Sequence, residues 1–326
     1  MPSLASLAAE LGVSRTTVSN AYNHPEQLSS QLRERILAAA EARGYQGPDP
    51  MARSLRTQRT GAIGVVLTEE LRFAFEDRAS IEFLAGLSDI PDYSLTLIPA
   101  GASVHDAIVD GIVVYSVPAG DPHLTGAQER GLPLVVCDQP KDVAAPFVGI
   151  DDFHAIQPAA QALVDAGHRR VGILAKRMFS TPTNGLVEDV AAADLDTQRA
   201  RVEGARAVLG DAPVVTRHLN DIDSAADGAR ELVERFPDLT AVLCTTDSMA
   251  LGVLRYCGQR VPRELSVTGF DGIDPSLGLA TVEQPNRQKG DVAAQMLRTM
   301  LTGEPVERER VLLETRFVPG ATVSPV

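Results

Sequence analysis

The sequence predicts two architectures in one chain. An all-α helix-turn-helix head with a hinge helix comes first, and a larger α/β core of doubly wound parallel sheets in two lobes follows. Three observations predict this. Residues 13–23 read as a short polar helix behind a glycine turn. From Ala62 onward, apolar strand-like runs alternate with helical stretches, the texture of repeated βα units. Charge is unevenly divided: residues 1–60 hold seven Arg and no Lys against five acidic residues, a balance of +2, whereas the whole chain of 326 residues carries −13.

In the head, Leu4, Leu7, Ala8 and Leu11 fall at i, i+3, i+4 and i+7, which predicts a short amphipathic helix. Leu11-Gly12-Val13 is its turn, and Ser14 is a hydroxyl cap for the next helix. Val18 faces inward on that second helix, while Arg15, Thr16 and Asn20 project from one face. Two short helices about a glycine turn make a helix-turn-helix, and these side chains suit a DNA major groove. Arg pairs bidentately with guanine and Asn with adenine, while Ser and Thr hydroxyls are spaced to meet phosphates. A third helix is predicted from a Ser29 cap to Arg43, with Leu32, Ile36, Ala39 and Ala40 on one face and Gly44 as its stop. Gly47-Pro48-Asp49-Pro50 is a rigid break. The helical composition of residues 51–56 is too short to stand alone, since isolated helices below roughly 12–15 residues are marginal. Such a helix forms only with support.

In the core, strands are predicted at 62–67, 94–99, 111–115, 134–137, 170–174, 214–218, 241–244 and 266–269. Helices are predicted at 78–87, 155–166, 198–209, 225–236, 248–257 and 287–301. A core of about 260 residues exceeds one comfortable hydrophobic nucleus, so two lobes with a cleft are expected.

Composition narrows the function classes. The remainder of the chain beyond residue 60 carries −15, which repels nonspecific DNA and leaves contact to the head. A head of only +2 needs a second head for useful affinity. Cys137, Cys244 and Cys257 are widely spaced and read as buried free thiols in a reducing cytosol. With no leader-like segment and no apolar run long enough to span a bilayer, the expectation is a cytoplasmic protein without a membrane partner. There is no phosphate-cradling Gly-rich loop and no Gly-x-Ser-x-Gly, and His24, His105, His123, His154, His168 and His218 are scattered. No catalytic residue, metal site or cofactor is therefore expected.

Four segments together resemble the lactose/galactose-repressor (LacI/GalR) family of bacterial transcription regulators over essentially the whole chain. They are Gly12-Val13-Ser14-Arg15-Thr16-Thr17-Val18-Ser19-Asn20 followed by Asn23; Arg33-Glu34-Arg35-Ile36 with Gly44-Tyr45, leading to Ala52-Arg53-Ser54-Leu55-Arg56 and Thr60-Gly61-Ala62-Ile63-Gly64; Ile150-Asp151-Asp152 with Ala166-Gly167-His168-Arg169-Arg170-Val171; and Thr246-Asp247-Ser248-Met249-Ala250-Leu251-Gly252 with Val261-Pro262-Arg263-Glu264-Leu265-Ser266-Val267-Thr268-Gly269-Phe270-Asp271. The resemblance implies a helical head at 1–46, a hinge at 47–60 and a periplasmic-binding-protein-like core at 61–326. It divides the core into an N-lobe of about 61–166 with 286–303 and a C-lobe of about 167–285 with 304–326.

By the same resemblance, Arg15, Thr16 and Asn20 would read bases, and Ser14, Thr17, Ser19 and Asn23 would position phosphates. Leu55, flanked by Ala52 and Arg53, would enter the minor groove between central base pairs of a pseudopalindromic double-stranded DNA operator. A small-molecule effector, a sugar or sugar derivative first and a nucleoside second, would lie between the lobes. Arg201, Asp271 and Thr246, which stands where the family has Asn, would contact it. Phe75 could stack on it. Asp77 could bind its hydroxyls or cap a helix, and His154 is placed near the cleft. The expected protein is a homodimeric repressor with no enzymatic activity. The tail from Pro319 to Val326 lacks leucine heptads, which favours a dimer over a tetramer. The alternatives are a solute-binding protein or an enzyme on the same α/β core. A solute-binding protein would carry a secretion signal in place of residues 1–60.

Overall fold

The computed structural model of the chain describes residues 3–47, 50–67 and 71–326. The chain forms two compact units that divide between Gly61 and Ala62.

The first unit holds α1 (Leu4–Leu11), α2 (Arg15–Asn23), α3 (Ser30–Ala42) and α4 (Pro50–Thr57). Each of the first three starts on a serine: Ser3, Ser14 and Ser29 accept from the backbone N–H of Ser6, Thr17 and Leu32, satisfying donors that a helix start leaves unpaired. Gly12 ends α1 at φ 65°, a left-handed conformation that glycine adopts without steric cost. Leu7, Ala8, Val18, Ala21, Ile36 and Ala40 form the core of this unit.

The second unit begins with β1 (Ala62–Leu67), α5 (Leu71–Glu76), α6 (Arg78–Leu87), β2 (Ser94–Ile98), β3 (Gly111–Tyr115), α7 (Pro122–Glu129), β4 (Leu134–Cys137) and β5 (Phe147–Ile150). It continues with α8 (Asp152–Ala155), α9 (Gln157–Asp165), β6 (Val171–Lys176), β7 (Gly185–Leu186), α10 (Asp196–Leu209), β8 (Val214–Arg217), α11 (Ile222–Arg235), β9 (Ala241–Cys244) and α12 (Asp247–Cys257). The last elements are β10 (Ser266–Asp271), β11 (Ala280–Glu283), α13 (Asn286–Leu301), β12 (Arg310–Leu313) and β13 (Arg316–Val318).

The strands form two sheets, ordered β12-β5-β4-β3-β1-β2 and β13-β11-β10-β9-β6-β8-β7. The first sheet is parallel throughout. The second is parallel except at its edges, where β13 and β7 pair antiparallel. Central strands such as β1, β6 and β9 are buried over nearly their full length, as sheets covered on both faces require. On the first lobe α6 packs against α13 through glycines: a Cβ on Gly86 would strike the backbone of Arg287, and one on Gly290 the backbone of Phe83.

The lobe boundaries differ from the expected ones in two places. Residues 151–166 go with the second lobe, because Ile156, Ala159, Ala160 and Leu163 pack against Val171, Ile173 and Phe270 of its core. Arg310–Leu313 goes with the first, where β12 extends the sheet beside β5. The chain changes lobes after β5, after β11 and after β12. These crossings lie at strand ends, where a short segment can pass between sheets, and not after the following helix.

Candidate functional site

In the head, Val18 is buried, whereas Arg15 and Thr16 are exposed on the first turn of α2. Among the described residues no hydrogen bond or ion pair reaches the Arg15 side chain. The other head arginines are engaged: Arg33 donates to Ala21 O, Arg35 donates to Leu11 O, and Arg43 pairs with Glu10. Asn20 donates to Gln27 Oε1 at 2.8 Å, so the amide expected to read a base is held by a neighbouring loop. The Ser14 and Thr17 hydroxyls are 2.8 Å apart.

Ser19 departs from its expected place at the phosphate surface. It is buried beside Val18, and Asn23 Nδ2 donates to its carbonyl at 3.0 Å and to its hydroxyl at 3.2 Å. Its position on α2 turns it toward α2's own inner face. On α4, Leu55 is 78% exposed. The side chains of Ala52 and Arg53, and residues 68–70, lie outside the described residues.

The core has a cleft of about 570 Å³ open to solvent, lined from the first lobe by Leu67, Ala74, Asp77, Ser80, Tyr115, Ser116 and Gln139. From the second lobe Lys176, Arg177, Leu195, Thr197 and Gln198 line it. The strand orders explain its place. β1 lies between β2 and β3, and β6 between β8 and β9, so each is the point where the winding reverses. Crevices form outside the carboxyl ends of strands at such points. Leu67, Tyr115 and Lys176 are the last residues of β1, β3 and β6.

Bonds across the cleft hold the lobes together. Arg78 donates to Asp274 at 3.0 Å, Thr197 N–H to Gln139 Oε1 at 3.0 Å, and Lys141 N–H to Asp196 at 3.3 Å. Below the lining residues runs a buried polar network. Arg201 is 5% exposed; its Nε donates to Asp152 Oδ1 at 3.0 Å and one terminal nitrogen to Thr245 O at 2.9 Å. That same terminal nitrogen is 3.6 Å from Asp271. Gln284 donates to Asp271 Oδ1 at 2.6 Å. Burial pushes the Asp271 carboxyl up to about 8, against the lowering pull of Arg201, while Asp247 and Asp77 add to the rise. Asp271 also has φ 123°, a left-handed backbone that a residue with a Cβ holds only under strain.

Of the residues expected around an effector, the structure brings Arg201 and Asp271 together beneath the cleft and puts Asp77 on its wall. Asp77 stands at the N-cap position of α6, but its side chain makes no capping bond to the backbone there; its carboxylate accepts from the Ser80 hydroxyl at 2.9 Å. Thr246 is buried as the N-cap of α12, accepting from Met249 N–H, and it donates to Asn220. Phe75 is more than half exposed and off the cleft, because its neighbour Ala74 takes the inward position on α5. His154 is also exposed, 2.7 Å from Asp151, and does not line the cleft. The lining residues that the sequence reading missed include Tyr115, Gln139, Lys176 and Arg177. The signal was present for the last two: the strand expected at 170–174 runs on to Lys176, so its carboxyl end was placed too early.

Comparison with known proteins agrees with this architecture. Residues 3–47 match the model of bacterial regulatory proteins of the lacI family, and residues 160–323 match the periplasmic binding protein-like domain. The chain is 50% identical over 350 residues to the HTH-type transcriptional regulator IpsA of Corynebacterium glutamicum, covering 99% of this chain and 98% of that protein. A solved LacI-family transcriptional regulator from Corynebacterium glutamicum matches with a TM-score of 0.77 at 46% identity, over 98% of each chain. The transcriptional regulator CelR in complex with cellobiose matches with a TM-score of 0.69 at 26% identity, over 99% of this chain and 100% of that one. With a capped helix-turn-helix in front and a two-lobed, doubly wound core behind, matched end to end by such relatives, the chain belongs to the lacI family of bacterial regulatory proteins.

Proposed function

We propose that this chain is a cytoplasmic repressor that binds a pseudopalindromic operator as a homodimer, with an operator affinity controlled by a small polar effector held between the core lobes. The observation that carries this reading is that one chain pairs a capped helix bearing an exposed, unengaged Arg15 with a polar cleft at the winding reversals of two sheets. Arg15 and Thr16 read bases from the start of α2, and Asn20 does so when it exchanges Gln27 for an adenine edge. Ser14, Thr17 and Asn23 set the position on the phosphates. Ser19 supports Asn23 from inside. Leu55 is the minor-groove wedge, with Ala52 and Arg53 beside it on α4.

The effector is a sugar or sugar derivative first, a nucleoside second. Cellobiose in the CelR complex supports the first choice, as do the hydroxyl, amide and charged groups around the cleft. Asp77 meets it on the wall. Arg201 and Asp271, beneath the lining, register it through the interlobe network, and Thr246 fixes the start of α12 beside them. Effector and operator affinities then change reciprocally, as linkage requires.

A mobility-shift titration of the intact chain at several salt concentrations tests the DNA reading. Binding should weaken steeply with salt and vanish when residues 1–60 are removed. A solute-binding protein or an enzyme would give no operator-specific shift.

A further inference from the structure

The cleft contains a cation whose hydrogen-bonding groups are not used by the protein. Arg177 follows directly on β6 and lines the second-lobe wall. Its backbone N–H is spent on Arg217 O at 2.6 Å. Its side-chain Nε is buried without a hydrogen-bond partner, and no hydrogen bond or ion pair reaches its guanidinium among the described residues. Neighbouring arginines are different. Arg201 is bound to Asp152 and Thr245 and lies with its guanidinium carbon 3.9 Å from the centre of the Phe270 ring. Arg217 also has a buried Nε without a hydrogen-bond partner, but its terminal nitrogen is paired with Asp227 and Glu231.

A buried guanidinium N–H left unpaired costs free energy, which an acceptor entering the cleft would recover. Asp77, on the first-lobe lining of the same cleft, spends one carboxylate oxygen on Ser80, and its other oxygen has no hydrogen-bond partner among the described residues. The two walls therefore offer complementary chemistry, a planar fork of donors on one lobe and an acceptor on the other. We propose that Arg177 anchors the effector and that the effector presents a pair of oxygens to its fork while a hydroxyl elsewhere on it donates to Asp77. Vicinal hydroxyls of a neutral polyol and the oxygens of an acidic group share this geometry. Arg201, held by Asp152 and Thr245 of its own lobe, belongs to the polar network beneath the ligand. The proposal rests on the reading of the cleft as an effector site.

The test is thermal melting of the full-length chain and of Arg177→Met with glucose, cellobiose, sorbitol, gluconate, glucose 6-phosphate and adenosine as separate probes. The expected result is that at least one oxygen-rich probe raises the melting temperature of the wild type, and that Arg177→Met binds it about ten- to hundredfold more weakly, the loss expected for hydrogen bonds to a charged group. The unliganded melting temperature should not fall, because the side chain has no internal partner to lose. Response to the neutral probes or only to gluconate and glucose 6-phosphate identifies which oxygens meet the fork. An undiminished response in Arg177→Met overturns the anchoring role and leaves the cleft reading standing. Stabilisation by adenosine alone assigns the fork to the ribose 2′- and 3′-hydroxyls if Arg177→Met loses it and overturns the oxygen-pair ligand if Arg177→Met keeps it, and either way the cleft reading stands. Stabilisation by none of the probes overturns both.

Discussion

Lys289 Nζ donates to Asp138 Oδ1 at 2.7 Å, and the ammonium also donates to Gln284 Oε1 at 2.6 Å. Lys289 is fully buried on α13, and Asp138 follows β4, so the pair lies inside the first lobe. Gln284 sits where the chain crosses between lobes and passes its own amide to Asp271. The charge of Lys289 thus helps to hold the crossing segment against the residue beneath the cleft. Lys289→Met would leave the Asp138 carboxylate buried without its cation, and losing one member of a buried pair costs about 3–5 kcal/mol. Urea unfolding of the core should register a loss of this size. Adding Asp138→Asn should recover part of it, because the uncompensated charge is then gone. If Lys289→Met unfolds at the wild-type midpoint, the pair contributes nothing to the lobe.

The raised carboxyl of Asp271 makes a signed prediction about pH. Its ordinary value is 3.8, and in the folded protein burial pushes it to about 8. Between these values the folded state holds a proton that the unfolded state has released, so stability falls as pH rises from about 4 to about 8. Above that window the contribution is lost and the slope ends. Asp271→Asn keeps an amide oxygen that can still accept from Gln284 and removes the titrating group. The variant should therefore lose less stability than the wild type between pH 5 and pH 8, on the order of that window, measured by denaturant unfolding at each pH. An identical slope in both proteins would mean that Asp271 is ionised throughout.

Local rules were sufficient where local chemistry decides. Serine caps, the glycine at position 12 and the spacing of Leu7, Ala8 and Val18 place the head helices to within a residue or two, because each signal acts within one turn. The alternation of strands and helices gives the two sheets for the same reason. The strands Phe147–Ile150, Gly185–Leu186, Ala280–Glu283, Arg310–Leu313 and Arg316–Val318 were not expected. The first is short and contains a glycine, and the last two are edge strands with charged, partly exposed residues. Their pairing depends on partners more than 130 or about 30 residues away in sequence. The cleft was legible in its position and not in its lining. Arg201 and Asp271 could be located from the resemblance, but their partners Asp152, Thr245 and Gln284 come from other segments. Only folding shows that the Arg201 guanidinium is held by Asp152 and Thr245, whereas no bond reaches that of Arg177 among the described residues.

Arg15 and Val18 on the same helix should separate binding from folding. Arg15 is exposed and Val18 fully buried. Arg15→Met should weaken operator binding by about 1–3 kcal/mol and relax preference at one base pair, with no change in head stability. Val18→Ala removes two buried methyl groups and should destabilise the head by about 1–3 kcal/mol, lowering binding equally for every operator sequence. Circular dichroism melting of the chain alongside binding to operators altered at single base pairs distinguishes the two. A sequence-independent loss on Arg15→Met would assign that residue to a phosphate.

Leu55 offers the clearest separation of DNA binding from effector binding. A leucine 78% exposed on an eight-residue helix gains nothing from folding of that helix in isolation, and a helix this short is marginal without support. On the proposed reading, insertion into a base step would supply what is missing: it would cover the leucine and repay unstacking, a cost of a few kcal/mol per step, with a bend that lets both heads engage. Leu55→Ala keeps helix propensity, since alanine is the better helix former, and removes the wedge. Operator affinity should therefore fall by about tenfold or more, a loss of about 1.4 kcal/mol for each factor of ten. The melting temperature of the core and its response to ligand should be unchanged. Because the substitution favours the helix itself, a drop in affinity cannot be assigned to unfolding of α4. Equal affinity of Leu55→Ala and wild type, measured by mobility shift at matched salt, would place Leu55 outside the DNA interface.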